Sequence, residues 1–408
     1  MIHQRDFIMK TIVIIGGNFS GFTTALELKR KLKNQARVIV VDKRDYFLFI
    51  PSLIWVPFGR RKVADIKVDS VQVFKKYGVE FVHQEVLSVD LQQQQVRLKE
   101  GFLGFDELVI ASGPKVDFEV ADGLREYAHY IGTPKGAEKM GEALEAFKNA
   151  PGPIVIGATQ SAGCMGAAYE FLFNIEEWLR AQKIRKKVEL YWITPEHYLG
   201  HFGIDGIPLG ESMLKGFMKM FNIHYITEVG VEKMEQEKIY LTNGQQLDYK
   251  LAMLMPPFIG ADYVRQSPDL KAAPNGFIPV KENYQHEDYD FVWAAGLAVN
   301  VKPPFKAGKV PFSVPKTGYP SDETGKIVAE NIYRKLSGKG SFIKKPWGKI
   351  PALCVMDAGK KEVIIVANHL FKPRTFAVMI PNVFYDVFKV LFEKYFLWKT
   401  KNGYAHLP

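Results

Sequence analysis

The chain has 408 residues, of which 47% are hydrophobic, so it is long enough for two or three domains that each have a core. Its formal net charge of +10 indicates a surface that meets anions, and because the basic residues are scattered we expect phospholipid headgroups rather than nucleic acid. Two cysteines exclude a disulfide framework and a zinc cluster, and no uncharged apolar run reaches the roughly 18 residues of a membrane-spanning helix.

The first predicted unit is a strand over residues 11–15, a glycine turn and a helix that runs to about Lys33. The turn contains Gly16 and Gly21, with Asn18 where a second glycine is usual, and the next strand ends in Asp42, 26 residues after Gly16. This order predicts a dinucleotide-binding βαβ unit, in which glycines let the backbone approach a pyrophosphate and the acid binds a ribose hydroxyl. The alternative is a helix-packing glycine turn in another α/β protein.

Two later strands resemble the motifs by which flavoproteins with two dinucleotide folds return to their FAD domain. Residues 105–113 form an apolar strand that ends in Ser112 and Gly113. Residues 291–298 form another, with Gly296 followed by Leu297 where most members of that superfamily carry an aspartate. Short strands over residues 79–98 predict a small meander inserted after the first unit.

A second predicted βα unit carries a cysteine. The strand over residues 153–156 ends at Gly157, and Cys164 lies on the turn before the next helix. A helix N-terminus stabilises a thiolate through free N–H groups and the helix dipole, although a small buried hydrophobe is the alternative. The turn lacks the glycine fingerprint, and the strand over residues 188–193 ends in Thr-Pro with no acid at its tip, so we expect a nucleotide fold without NAD.

Six stretches together resemble a bacterial sulfide:quinone oxidoreductase, and the similarity covers nearly the whole chain. They are residues 157–170, 198–203, 294–296 and 315–319, Cys354, and residues 371–374. The resemblance implies bound FAD, hydrogen sulfide and quinone as substrates, and a redox pair of Cys164 and Cys354, either as a disulfide or bridged by sulfur. It also implies Glu170 and His201 as acid/base residues and Lys316 as a cation near the flavin pyrimidine. Gly318, two residues after Lys316, is a further implied cofactor-binding residue.

Each of these residues also has an ordinary structural explanation. Glu170 could be a solvated or capping carboxylate, His201 a structural hydrogen-bonding histidine, and Lys316 a surface lysine. One position departs from the family: its three-cysteine members carry a cysteine before Thr133, where this chain has Gly132. That departure bears on how sulfur chains end or leave, and it keeps the redox pair.

The last predicted helix spans residues 383–398 and is amphipathic, aromatic and basic. Its apolar positions are Phe384, Val387, Phe388, Leu391, Phe392 and Tyr395, interleaved with Asp386, Lys389, Glu393, Lys394 and Lys399. Such a helix can lie in a membrane interface, and a core-packing helix has the same spacing. By resemblance, Phe392 lines the quinone pocket and Lys389 lies near it.

We therefore predict an α/β protein with two Rossmann-like folds and a C-terminal membrane-associating helical region. The predicted domains are an FAD domain (1–118 and 286–340), a second Rossmann-like domain with Cys164 (119–285) and a C-terminal domain with Cys354 (341–408). The prediction is a peripheral, monotopic enzyme on a lipid surface, without metal, and homo-oligomers are compatible with the resemblance. The alternatives are a type II NADH:quinone oxidoreductase, the flavin subunit of a flavocytochrome sulfide dehydrogenase, and a flavin-binding redox sensor without turnover.

Overall fold

A computed structural model of the chain describes residues 9–306, 308–357, 359, 362–382 and 387–408. The strands are β1 (Lys10–Ile15), β2 (Ala36–Asp42), β3 (Tyr46–Leu48), β4 (Lys67–Asp69), β5 (Glu80–His83), β6 (Val86–Asp90), β7 (Gln95–Leu98), β8 (Phe102–Gly104), β9 (Glu107–Ile110), β10 (Pro114–Val116), β11 (Ile154–Ala158), β12 (Leu190–Ile193), β13 (Ile223–Ile226), β14 (Val231–Glu235), β15 (Lys238–Leu241), β16 (Gln246–Asp248), β17 (Leu251–Met255), β18 (Phe258–Gly260), β19 (Val292–Ala294), β20 (Ala352–Asp357), β21 (Glu362–Ala367) and β22 (Ala377–Asn382). The helices are α1 (Phe19–Leu32), α2 (Ser70–Tyr77), α3 (Leu124–Tyr127), α4 (Pro134–Phe147), α5 (Met165–Ala181), α6 (Gly210–Met220), α7 (Asp262–Arg265), α8 (Gly318–Ser337) and α9 (Val387–Asn402).

The first sheet is parallel and has the strand order β19-β9-β1-β2-β5. Its central strands are apolar runs that are buried on both faces, as expected where helices cover a parallel sheet. Helices α1 and α8 pack against each other although they are far apart in the chain. Strand β19 therefore returns the chain to the sheet that β1 began.

The second parallel sheet has the order β13-β12-β11-β17, with α5 following β11. Each parallel sheet has a small antiparallel meander inserted in its sequence: β6-β7-β8 between β5 and β9, and β14-β15-β16 between β13 and β17. The two parallel sheets confirm the predicted pair of Rossmann-like folds. In a parallel sheet all strands end at one edge, so the turns after β11 and β17 lie next to each other.

The C-terminal region contains a feature that the sequence analysis missed, an antiparallel meander of β20, β21 and β22. Helix α9 follows the meander. Among the described residues after 382, it is the only helix. The predicted start of that helix, with Phe384 and Asp386, lies outside the described residues. Among the described residues, no helix combines the length and the apolar character needed to cross a bilayer.

Candidate active site

The two cysteines come from different parts of the fold to one place. Cys164 is the N-cap of α5, and α5 packs on β20, which carries Cys354. Both are free thiols. Cys354 keeps exposed surface, yet the surrounding protein desolvates it and raises its pKa to about 12, with the nearby charge of Cys164 as a second cause.

The helix N-terminus stabilises a Cys164 thiolate in the expected direction, but burial opposes it more strongly. Burial raises the pKa of Cys164, and the N–H of Ala167 lowers it by less. Desolvation of a buried thiolate outweighs one backbone hydrogen bond at the helix start. A base, or an electrophilic sulfur bond, is therefore needed to make this cysteine reactive at neutral pH.

A segment over residues 311–316 runs alongside the Cys164 turn. The N–H of Ser313 donates to the carbonyl of Ala162 (2.9 Å), and the N–H of Lys316 donates to that of Gly163 (3.1 Å). These bonds fix the backbone on both sides of the residue before Cys164. The segment also connects this turn to the next candidate residues.

Lys316 is buried, so the surface-lysine alternative is wrong. Its Nζ donates to the carbonyls of Leu297 (3.1 Å) and Val299 (2.9 Å) and lies 3.7 Å from the Phe277 ring centroid. Burial lowers the pKa of Lys316 to about 7. A lysine that is half neutral near pH 7 gains charge readily when an anion comes close.

His201 lies in a box of aromatic rings and is 1% exposed. Its ring centroid is 4.6 Å from that of Phe305 and 4.8 Å from that of Phe312, which belongs to the segment beside the Cys164 turn. Burial lowers the pKa of His201 to about 4, and Nδ1 has no hydrogen-bond partner among the described residues. Nε2 is 3.8 Å from Asp205 Oδ1. The imidazole is therefore neutral at pH 7 and keeps a free nitrogen.

The loop that carries His201 is held by Glu196, a residue that the sequence analysis missed. Glu196 is fully buried and accepts hydrogen bonds from the Phe202 N–H (2.6 Å), the Thr194 hydroxyl (2.9 Å) and the Tyr169 hydroxyl (2.9 Å). The Tyr169 hydroxyl accepts in turn from the Gly200 N–H (3.1 Å). The backbone on both sides of His201 is thus tied to one carboxyl group.

Glu170 is buried, so the solvated-carboxylate alternative is wrong. It forms an ion pair with Lys389 of α9 and accepts from the N–H of Asp357 (3.1 Å) at the end of β20. Six residues of helix separate it from Cys164, about 9 Å along the axis. The structure therefore places Glu170 beside the predicted quinone residue Lys389, while His201 lies in its separate aromatic box.

Lys389 is buried among aromatic and charged side chains. Its Nζ lies 4.7 Å from the centroid of the Trp55 ring, and its backbone N–H donates to Glu362 (2.9 Å). Burial and the charge of Arg60 lower the pKa of Lys389 well below its ordinary value. Phe392, one turn later, is half-buried with its ring centroid 6.1 Å from that of Phe49.

Helix α9 buries its charges and exposes apolar side chains. Its buried charged residues are Lys389, Glu393 and Lys399, while its exposed apolar residues are Val387, Phe388, Leu391 and Trp398. Glu393 pairs with Arg61 (2.9 Å), and Lys399 pairs with Asp322 (3.0 Å). Phe396 and Leu397 also pack into the core, so the helix is partly a core helix. A helix that only packs into the core would not expose these apolar residues, so that alternative leaves them unexplained.

The meander presents a second apolar surface. Strand register and alternation put Cys354 on the inner side of β20, together with Met356, Ile365 and Met379. The outer side carries six aliphatic residues that are half-buried or exposed: Leu353, Val355, Ile364, Val366, Val378 and Ile380. One face of the same sheet thus holds Cys354, and the other is apolar and open.

The predicted cofactor residues form a cradle at the carboxyl ends of the first sheet. Gly16 has a φ of +104°, and a β-carbon there would lie 2.5 Å from the carbonyl oxygen of Ala111. Asp42 accepts from the Gly17 N–H (2.7 Å), and the Asn18 side chain accepts from and donates to the Leu48 backbone (3.0 and 3.3 Å). Asn18 thus fastens the turn to the start of the next segment.

The remaining cradle residues line the same edge of the sheet. Gly113 and Gly296 have φ of +71° and +64°, and Gly318 begins α8 against the ring of Phe19. The Ser112 hydroxyl is hydrogen-bonded to that of Tyr263 (2.9 Å). Bare backbone at these turns fits a group that approaches the main chain closely, as a pyrophosphate does.

Comparison with known proteins assigns the family. The family described as pyridine nucleotide-disulphide oxidoreductase matches residues 10–306. A sulfide-quinone reductase of Aquifex aeolicus is 32% identical over 400 residues, which are 97% of this chain and 92% of that protein. The X-ray structure of the sulfide:quinone oxidoreductase from this bacterium has a TM-score of 0.92 at 32% identity, with the same coverage.

The chain belongs to the sulfide:quinone oxidoreductase family. This confirms the resemblance and the α/β fold class that the sequence predicted. The structure of NDH2 from Plasmodium falciparum aligns with 97% of this chain and 97% of its own chain, at 15% identity and a TM-score of 0.73. At this low identity the likeness shows a shared fold alone.

The Gln160 side chain holds the turn after β11 to two other segments of the chain. In the turn after β11, the Gln160 side chain donates to the carbonyls of Val120 (2.8 Å) and Val231 (3.0 Å) and accepts from the Val231 N–H (2.9 Å). These bonds tie the turn after β11 to the start of β14 and to the chain at Val120. The absence of NAD from the second nucleotide fold stays a prediction.

Proposed function

We propose that this chain oxidises hydrogen sulfide to sulfane sulfur through Cys164 and Cys354 and reduces quinone at a lipid surface. The observation that carries the proposal is the packing of α5, which Cys164 caps, on β20, whose Cys354 is near enough for the charge of Cys164 to raise its pKa. With two cysteines in the chain, a disulfide between these two is the electrophile that sulfide needs.

The sulfur step balances on the cysteines. Hydrosulfide attacks one sulfur of the Cys164–Cys354 disulfide, so one S–S bond breaks and another forms. One cysteine then carries a persulfide and the other leaves as a thiolate, and the sulfide sulfur has been oxidised at the expense of the disulfide. A second hydrosulfide or another nucleophile then takes the outer sulfur of the persulfide, which leaves both cysteines as thiols. When bound, FAD would supply the two-electron acceptor that restores the disulfide, and the donor for quinone.

Neighbouring residues handle protons and charge. His201 is neutral and has an unpartnered Nδ1, which can take part in a hydrogen bond beside the segment that flanks the Cys164 turn. Lys316 has a pKa of about 7 and can become fully charged beside a reduced, anionic cofactor. In the proposed cofactor site, Gly16, Gly113 and Gly296 give bare backbone, Gly21 lets α1 pack against the Gly16 carbonyl, and Asp42 offers its carboxylate to a ribose.

The quinone end is proposed to lie at α9. Lys389 and Phe392 line the side of the helix that faces the interior, while Phe388 (47% exposed) and Leu391 (56% exposed) face outward. Together with the outer face of the meander they form an apolar surface suited to lipid, and the positive net charge favours anionic headgroups. A quinone dissolved in that lipid would reach Phe392 without crossing water.

Anaerobic stopped-flow absorbance tests the proposal. Sulfide should bleach the flavin band of the purified holoenzyme, and a soluble quinone should restore it. Neither Cys164→Ser nor Cys354→Ser should carry out either step at the wild-type rate. Tyr127→Phe changes an exposed residue outside the site and should carry out both steps at that rate. If NADH bleaches the flavin and sulfide does not, the proposed function is wrong.

A further inference from the structure

The loop that carries His201 has a strained backbone. Between residues 200 and 209 it contains six residues with φ between +53° and +80°. Three of these, Phe202, Asp205 and Leu209, are not glycine, so their side chains crowd the backbone in this conformation. Strain of this kind persists only where contacts from outside hold the chain, so the loop needs anchors at several points.

Arg374, in the connection between β21 and β22, anchors the loop from the side of the C-terminal meander. Its Nη1 donates to the carbonyl of Gly206 (2.6 Å) and its Nη2 to the carbonyl of Ile204. The same guanidinium donates to two carbonyls of its own connection, through Nη2 to Leu370 and through Nε to His369 (3.0 Å). One planar cation therefore joins two loops through four backbone carbonyls, which a lysine ammonium could not do.

The connection that carries Arg374 is itself fixed to the C-terminal domain. The N–H of Leu370 donates to the carbonyl of Ile350 (2.8 Å), and the N–H of Phe371 donates to that of Gly348 (3.0 Å). Leu370 is also buried in the core. Arg374 therefore projects from a firm support, and the loop that it holds is the part free to move if the guanidinium is lost.

The same loop packs against the segment that runs alongside the Cys164 turn. Gly203 lies two residues after His201, and a β-carbon on it would overlap the carbonyl oxygen of Ser313. The N–H of Ser313 donates in turn to the carbonyl of Ala162, two residues before Cys164. A shift of the loop would therefore displace His201 and also disturb the backbone that supports the cysteine turn.

We propose that Arg374 is a positioning residue for the sulfide end of the site, and that it holds the strained loop so that the His201 ring stays in its aromatic box. Glu196 holds this loop from the second Rossmann-like domain and Arg374 holds it from the C-terminal domain, so both domains are needed to place His201. The catalytic meaning rests on the proposed function. The placement of His201 is a property of the resting holoenzyme and can be tested without sulfide or quinone.

The first test measures how well His201 is held. Modification of each histidine of the holoenzyme by diethyl pyrocarbonate is followed by peptide mass spectrometry, with the exposed His224 as internal standard. Arg374→Met should speed the modification of the buried His201 by about tenfold or more, because hydrogen bonds from a charged donor are lost. Arg125→Met, which changes an exposed arginine of α3, is the matched control and should leave His201 protected. Unchanged modification of His201 in Arg374→Met overturns the proposal.

Hydrogen exchange separates a local hold from general stability. In Arg374→Met the amides of residues 200–206 should exchange faster than in the wild type, while those of β1 and β2 should exchange at the wild-type rate. Arg374→Lys keeps the charge and loses the planar fork, so it should resemble Arg374→Met. Faster exchange in β1 and β2 as well, or wild-type exchange in Arg374→Lys, overturns the positioning role.

A third measurement connects Arg374 to the reaction. Arg374→Met should slow the reduction of the flavin by sulfide, and quinone should reoxidise the dithionite-reduced variant at the wild-type rate. Because Arg374 acts through His201, adding Arg374→Met to His201→Gln should cause no further slowing, and losses that multiply overturn this link. If sulfide fails to bleach the wild-type flavin while Arg374→Met unprotects His201, the proposed function falls and the positioning role stands. If sulfide bleaches the flavin and His201 stays protected in Arg374→Met, only the role of Arg374 falls.

Discussion

The buried carboxyl of Glu196, which holds the loop carrying His201, should make the free energy of unfolding fall as pH rises. Glu196→Gln should remove this dependence on pH. Glu196 is fully buried, and burial raises its pKa from the ordinary 4.5 to about 7. A carboxyl whose pKa is raised on folding binds a proton more tightly in the folded state, so stability falls as pH rises through the interval between the two values. Between pH 5 and pH 8 this costs the wild type about 2 to 3 kcal/mol.

The assay is urea unfolding of the holoenzyme at several values of pH from 5 to 8. Glutamine keeps the shape of the protonated carboxyl and does not titrate. From pH 5 to pH 8 the unfolding free energy of the variant should therefore rise relative to that of the wild type by about 2 to 3 kcal/mol. Glu138→Gln, on the exposed side of α4, is the control and should run parallel to the wild type. Parallel curves for Glu196→Gln would refute the reasoning.

Two further predictions concern α9. Lys389→Met leaves Glu170 buried without its partner and should destabilise the fold by about 3 to 5 kcal/mol in urea, and adding Glu170→Gln should recover part of that; no recovery in the double variant would contradict the pairing. Leu391→Asp should weaken co-sedimentation with anionic lipid vesicles at least tenfold, since one buried leucine contributes about 2 kcal/mol, whereas Phe102→Asp, on the exposed side of β8, should bind like the wild type.

The sequence predicted the parts of the fold that local pattern controls. Apolar runs, the glycine turn with Gly16 and the acid at Asp42 were enough for the first βαβ unit, and the strand and turn before Cys164 were enough for the second. Glu196 and Gln160 could not be found in this way, because a polar residue in a loop shows no sign of which distant backbone groups it will bond. Glu196 left one weak signal, a carboxylate three residues after a predicted strand that has no acid at its own tip.

Helix α9 shows why periodicity could not decide the surface. A 3.6-residue period tells which residues share a side of the helix, and it leaves open which side is buried. Here the interior offers Glu170, Asp322 and Arg61 as partners, so Lys389, Glu393 and Lys399 turn inward and the apolar residues are left outside. The outcome depends on charges contributed by residues far away in the chain, which no window of sequence contains.

The same helix connects the two ends of the proposed reaction. Cys164 is the N-cap of α5, and Glu170 of α5 forms an ion pair with Lys389 of α9. The neighbours of Lys389 on α9 face outward. Asp357, at the end of the strand that carries Cys354, donates its N–H to the same Glu170 carboxylate. A change in charge on Glu170 therefore acts on both cysteine-bearing elements and on α9 through single contacts. For this reason Glu170→Gln should alter the rates of flavin reduction by sulfide and of reoxidation by quinone together, and an effect confined to one half-reaction would show that the carboxylate serves only that end.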